Sequence, residues 1–268
     1  MSTPAMAPEK IERSEIQRVP DVYMIAGIVV AIASVIAGIA ATGVGLTYFL
    51  QPTGMLIVVG GTAGVTLATT PRRAMRDSAG AVVRLLFATR FDRVALIEEI
   101  ISLARPVRSR GVLALEPMIS SISNPFLRES LALAVDVPDR AQLKAALETR
   151  LRVRERHGDA DAKMLEVAGG FAPTIGVLGT VVGLIDVLRQ FSNISGVAGG
   201  VGTAFVSTIY GLGLANLILL PAAHRIRANV AEMFEIDEMI VEGVVSLIDG
   251  LHPSLLRERL SAFVERVD

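Results

Sequence analysis

Thr180, Ser207 and Thr208 are the side chains best suited to chemistry in this sequence, because each is a hydroxyl inside a long apolar run. Thr180 lies in a ladder of small residues with Ala172, Gly176 and Gly183, and Ser207 in another with Thr203, Gly211 and Ala215; Thr208 and Asn216 adjoin the second. Hydroxyls facing one another across two helices can give oxygen to a dehydrated cation. A threonine can equally satisfy itself on the carbonyl four residues back, and spacing alone leaves both readings open. Neither run has a carboxylate at mid-membrane depth, so a moving ion would need its charged partner on another chain. Pro173 lies towards one end of the first run and can kink it or act as a hinge.

The elements that must position these groups are membrane helices. The chain has 268 residues, is 51% hydrophobic and 20% charged, and has a mean hydropathy of +0.54. Four stretches reach the roughly 17–25 apolar residues that a spanning helix needs. They are residues 22–42, 46–70, 168–188 and 201–223. Small residues at i, i+4 let such helices pack closely, and this is the first reading of the glycines, Gly60 and Gly64 included. Basic residues set the orientation. Lys10, Arg13 and Arg18 precede the first span, and Arg72 begins a basic segment that ends at Lys163. Arg189 alone falls between the last two spans. The positive-inside rule then puts both termini and the long middle segment in the cytoplasm.

These patterns predict an all-α integral membrane protein of two helical hairpins, with a helical cytoplasmic domain between spans two and three. The expected divisions are an N-terminal arm at 1–20, an outer hairpin at 21–70, a cytoplasmic domain at 71–164, a second hairpin at 165–223 and cytoplasmic helices at 224–268. In the middle domain Val94, Ile97, Ile101 and Ala104 recur at helical spacing. A long helix is expected from Arg140 towards span three, a continuation of span four to Ile248, and a short amphipathic helix over 254–267. No alternating strand pattern is visible. Asp186 and Arg189 read as an interfacial i,i+3 pair.

With no cysteine, no metal spacing among His157, His224 and His252, and no nucleophile elbow, HExxH or P-loop, nothing points to an enzyme or a cofactor.

Two strings carry a resemblance: Gly170-Phe-Ala-Pro-Thr-Ile-Gly-Val-Leu-Gly-Thr-Val-Val-Gly-Leu-Ile185, and Ala204-Phe-Val-Ser-Thr-Ile-Tyr-Gly-Leu-Gly-Leu-Ala-Asn-Leu217 followed by Pro221. They resemble the MotA/PomA family, the A-subunits of the bacterial flagellar stator. The ExbB/TolQ energisers of outer-membrane systems are similar, but have three spans with the large domain after the first. The stator resemblance implies a pentameric ring in the inner membrane, surrounded by lipid and enclosing two single-span MotB/PomB-type B-subunits. The B-subunit would supply the missing aspartate, and ion passage would turn the rotor through its switch protein FliG. It further implies that Pro173 and Pro221 couple ion flow to movement, and that Arg108 and Glu116 engage rotor charges, with Arg110 an extra charge beside them. Threonine at position 180 matches sodium-type members, so sodium is the expected ion and the proton the alternative.

Overall fold

The computed structural model describes residues 17–72, 75, 80, 87–90, 92–190 and 194–264. Most of the N-terminal arm therefore lies outside the described residues. The chain divides into two compact units. One contains residues 20–88 and 157–230, and the other residues 1–19, 89–156 and 231–268. The cuts fall at 156/157 and 230/231, whereas the expected divisions at 164/165 and 223/224 mark where the apolar runs begin and end.

The first unit contains the membrane helices. Asp21 starts α1 (Val22–Ala41) by accepting the Met24 amide at 3.1 Å. Span two is a composite. Residues Leu46–Phe49 form a 3-10 turn, and the helix proper begins at Pro52 as α2 (Pro52–Met55), a π turn (Leu56–Gly60) and α3 (Gly61–Thr69). The span runs Leu46–Thr69, close to the expected 46–70, but its regular helix starts only at Pro52, which fits the first turn of a helix and not its interior. Span three is part of α7 (Arg140–Arg189), a 50-residue helix with Pro173 inside it. Span four comprises α8 (Ile194–Gly213), a second π turn (Leu214–Leu219) and the start of α9 (Leu220–Ile248). Pro221 has no amide to return to the preceding turn, and the widened turn lies immediately before it.

The second unit is built from α4 (Arg93–Arg110), α5 (Glu116–Ile119), α6 (Pro125–Asp136), the outer parts of α7 and α9, and α10 (Pro253–Ser261). Its core gathers Leu96, Ile100, Leu103, Leu115, Phe126, Leu127, Leu143, Leu147, Met239, Ile240 and Leu247. The apolar face of α4 is centred on Leu96, Ile100, Leu103 and Val107. Ile97 and Ala104 join it, but Ile101 is half-buried and Val94 faces out, so the expected stripe was rotated by part of a turn. Asn124 caps α6 through the Phe126 amide at 2.9 Å, with Pro125 at its first position.

One element departs from the all-α expectation. Gln17–Pro20 (β1) pairs with Phe87–Arg90 (β2) in a two-stranded sheet. Four-residue strands are too short to carry an alternation signal.

Candidate functional site: a hydroxyl pair between close-packed spans

Spans three and four touch backbone to backbone. A Cβ on Gly211 would stand 2.5 Å from the Ala172 carbonyl oxygen, and one on Gly183 would stand 2.6 Å from the Ala204 amide nitrogen. Only hydrogen in place of a side chain permits this approach. The same closeness brings Thr180 and Thr208 together, with their Oγ1 atoms 2.5 Å apart. Thr180 Oγ1 also lies 2.9 Å from the Ala204 carbonyl oxygen and 3.2 Å from that of Gly176.

A hydroxyl has one proton and two acceptor positions. With the Thr180 proton on a carbonyl, the Thr208 hydroxyl donates to Thr180 and keeps its own acceptor positions free. Four oxygens thus converge on half-buried ground, two of them hydroxyl and two carbonyl, with no ionisable group among them. Such a set can solvate a cation but cannot carry its charge.

Ser207 is elsewhere. It is 0% exposed, donates to the Thr203 carbonyl at 2.7 Å, and occupies the notch between Gly54 and Gly179. A helix turns about 100° per residue, so Ser207 lies in the seam between spans two and three while Thr208 meets Thr180 on span three. Span two is further tied to span four by a strap. The Tyr210 hydroxyl donates to the Phe49 carbonyl and accepts the Gln51 amide at 3.2 Å, and Thr203 reaches the Gln51 side chain at 3.4 Å.

Asp186 bonds the Gln190 amide at 2.8 Å and not Arg189, correcting the expected i,i+3 pair. Gln190 lies four residues on, a spacing that puts its side-chain amide on the same helix face as Asp186. Pro221 lines a groove with Tyr23, Gly27, Asn216 and His224, and beside it Arg225 holds buried Asp21. Glu166 pairs with Arg227 at 2.5 Å and Lys163 at 3.8 Å. The Asp21–Arg225 and Glu166–Arg227 pairs join residues far apart in sequence, and no local signal announces them.

Arg108 and Arg110 at the end of α4, and Glu116 at the start of α5, are all exposed. Among the described residues none of the three forms an ion pair. Neighbouring charges do: Glu98 binds Arg257, with one contact at 2.7 Å, and Arg93 binds Glu235 at 3.0 Å. The Glu98 carboxyl is held below its usual range by the Arg257 hydrogen bond.

Two family descriptions match the chain. Motility protein A N-terminal covers residues 25–111, and the MotA/TolQ/ExbB proton channel family covers 118–239. A motility protein A from Treponema phagedenis is 30% identical over 185 residues, which is 69% of this chain and 71% of that protein. The chain belongs to the motility protein A (MotA) family. MotA proteins elsewhere are similar over nearly the full length: the one from Bacillus subtilis (strain 168) is 27% identical over 246 residues, 90% of each chain. Among solved structures, that of C. jejuni MotAB superposes with a TM-score of 0.85 at 25% identity, covering 91% of this chain and 95% of that one. The flagellar MotAB stator complex from Bacillus subtilis gives 0.80 at 26%, covering 88% and 92%. The motility match over residues 25–111 takes in two spans ahead of the middle domain, which is the MotA arrangement and not the ExbB/TolQ one. With four apolar helices and this membership, the chain is a multi-pass membrane protein of a channel family and not of an enzyme class.

Proposed function

We propose that this chain is the A-subunit of a flagellar stator that passes sodium ions through a path shared with a B-subunit and turns the rotor. The observation that carries this is the Thr180–Thr208 pair: an oxygen cluster between two glycine-packed spans, with no carboxylate of its own. The aspartate that accompanies the ion belongs to the B-subunit, a single-span MotB/PomB-type chain. A face is open for such a helix, because Val177, Val181, Leu184 and Leu188 form an exposed stripe along α7 at 4-3-4 spacing. Both termini and the second unit lie in the cytoplasm, where Arg108, Arg110 and Glu116 meet FliG. In this reading five copies form the ring.

Deleting the gene abolishes swimming, and normally motile cells would sink this reading. Thr180→Ala removes one of the two hydroxyls and fits its site without strain. The expected result is an assembled complex whose swimming speed no longer rises with external sodium. A sodium titration that overlays wild type would transfer the ion to the proton reading. Charge reversal by Arg108→Glu or Glu116→Lys is expected to weaken rotor engagement with the rings intact. Unpaired surface charges contribute little to the fold, so rings that fell apart would make these residues structural.

A further inference from the structure

The corner that carries Arg108, Arg110 and Glu116 also holds a large apolar residue outward, and the local backbone dictates its position. α4 ends at Arg110, and Gly111 at φ +80° turns the chain into a 3-10 segment, Val112–Leu115. A 3-10 helix has three residues per turn, so positions i and i+3 lie one above the other. Val112 and Leu115 therefore share one side, and Leu113 and Glu116 share another. Leu115 is fully buried and Val112 packs on the same core, which fixes the roll of the turn. Leu113 is thereby held outward at 68% exposure, directly above exposed Glu116.

Its surroundings set it apart from an ordinary surface leucine. Arg105, Arg108 and Arg110, on the last turns of α4 before it, are exposed, and among the described residues none of them forms an ion pair. The corner is one large apolar side chain on a short turn, with three arginines before it and one glutamate after it. Protein interfaces concentrate their affinity in a central apolar or aromatic anchor, while rim charges set approach and register.

We propose that Leu113 is the apolar anchor of the rotor-facing surface, seated in a socket of the rotor protein whose rim is predominantly acidic. This rests on the reading that Arg108 and Glu116 dock on the rotor. The net positive corner asks for acidic groups around the socket, and Glu116 asks for one basic group on the side that Leu113 overhangs. The arginines steer the encounter, and Leu113 resists separation under load.

The test measures binding of the purified A–B stator complex to purified FliG at low and high salt, alongside stall torque in cells. Leu113→Ser is expected to weaken binding about tenfold, by the same factor at both salt concentrations, because an apolar contact is not screened. Leu113→Met keeps the apolar surface and is expected to bind as wild type. Arg108→Ala is expected to flatten the salt dependence. If Leu113→Ser binds like wild type while Arg108→Ala weakens binding, the anchor is overturned and the docking reading stands. A loss in Leu113→Ser that disappears at high salt also overturns it. If neither substitution changes binding, the docking reading itself fails.

Discussion

Gly211→Ala is expected to remove the assembled protein from the membrane, although it adds one methyl group. The added Cβ would lie 2.5 Å from the Ala172 carbonyl oxygen and 3.1 Å from the Gly176 Cα. Both are backbone atoms of the facing helix, which no side-chain rotation can move. The helices must separate, and the Thr180–Thr208 contact separates with them. Overpacking of this kind costs about 1–3 kcal/mol in cores that can adjust, and more where backbone meets backbone. Gly183→Ala meets the Ala204 backbone in the same way. The control is two residues away. Gly213 has nothing within 4 Å of the corresponding position, and alanine is the better helix former by about 1 kcal/mol in water. Gly213→Ala is therefore expected to accumulate and swim as wild type. The check is the yield of detergent-extracted complex for the three variants side by side. Equal yields would mean that the close approach of the spans is not needed.

The second large effect is one of pH in the helical unit. Asp237 on α9 is 6% exposed and meets Arg154 of α7 at 2.9 Å. The Arg154 guanidinium also stacks 4.8 Å above the Phe126 ring. Burial dominates nevertheless, and with the repulsion of Glu129 it pushes the Asp237 carboxyl up to about 6, against the pull of Arg154. An acid whose folded value is raised favours folding most when protonated. That contribution is complete below about pH 4 and is lost as pH rises through about 6. The loss amounts to about 3 kcal/mol, at roughly 1.4 kcal/mol per unit. Asp237→Asn cannot ionise, so its stability relative to wild type is expected to climb by that amount between pH 4 and pH 7. Arg154 is partly exposed and can turn to water while keeping its stack on Phe126. Thermal unfolding of both proteins across this range decides it, and a pH-independent difference between them would contradict the assignment.

Much of the architecture was legible because a bilayer imposes long apolar runs, and the four runs stand out without help from tertiary structure. Thr180 and Thr208 were legible as candidates for a related reason: each is a hydroxyl in a ladder of small residues, and such ladders pack together. Ser207 looked equivalent in sequence. A ladder shows that a helix is contacted but not by which neighbour, so the seat of Ser207 between Gly54 and Gly179 could not be told from that of Thr208 beside Thr180. The Asp21–Arg225 and Arg154–Asp237 pairs were out of reach because they depend on how distant helices are aligned. The π turns left one trace, Pro221, and the four-residue strands left none. Within the second unit the helical period of α4 was clear, but its phase was not, because Val94 and Leu96 are equally apolar and only the surrounding core separates them.

The widened turn at Leu214–Leu219 gives span four slack. A π turn holds one residue more than the α-helical ladder would place there, and that surplus can travel along a helix by exchanging hydrogen bonds one at a time. Moving it past Pro221 would rotate the residues it passes by about 100°, the angle of a single helical step. Thr208 lies on the other side of the turn and would keep its place beside Thr180. The inner end of the span can thus swivel while the oxygen cluster stays still, and the chain need not lengthen.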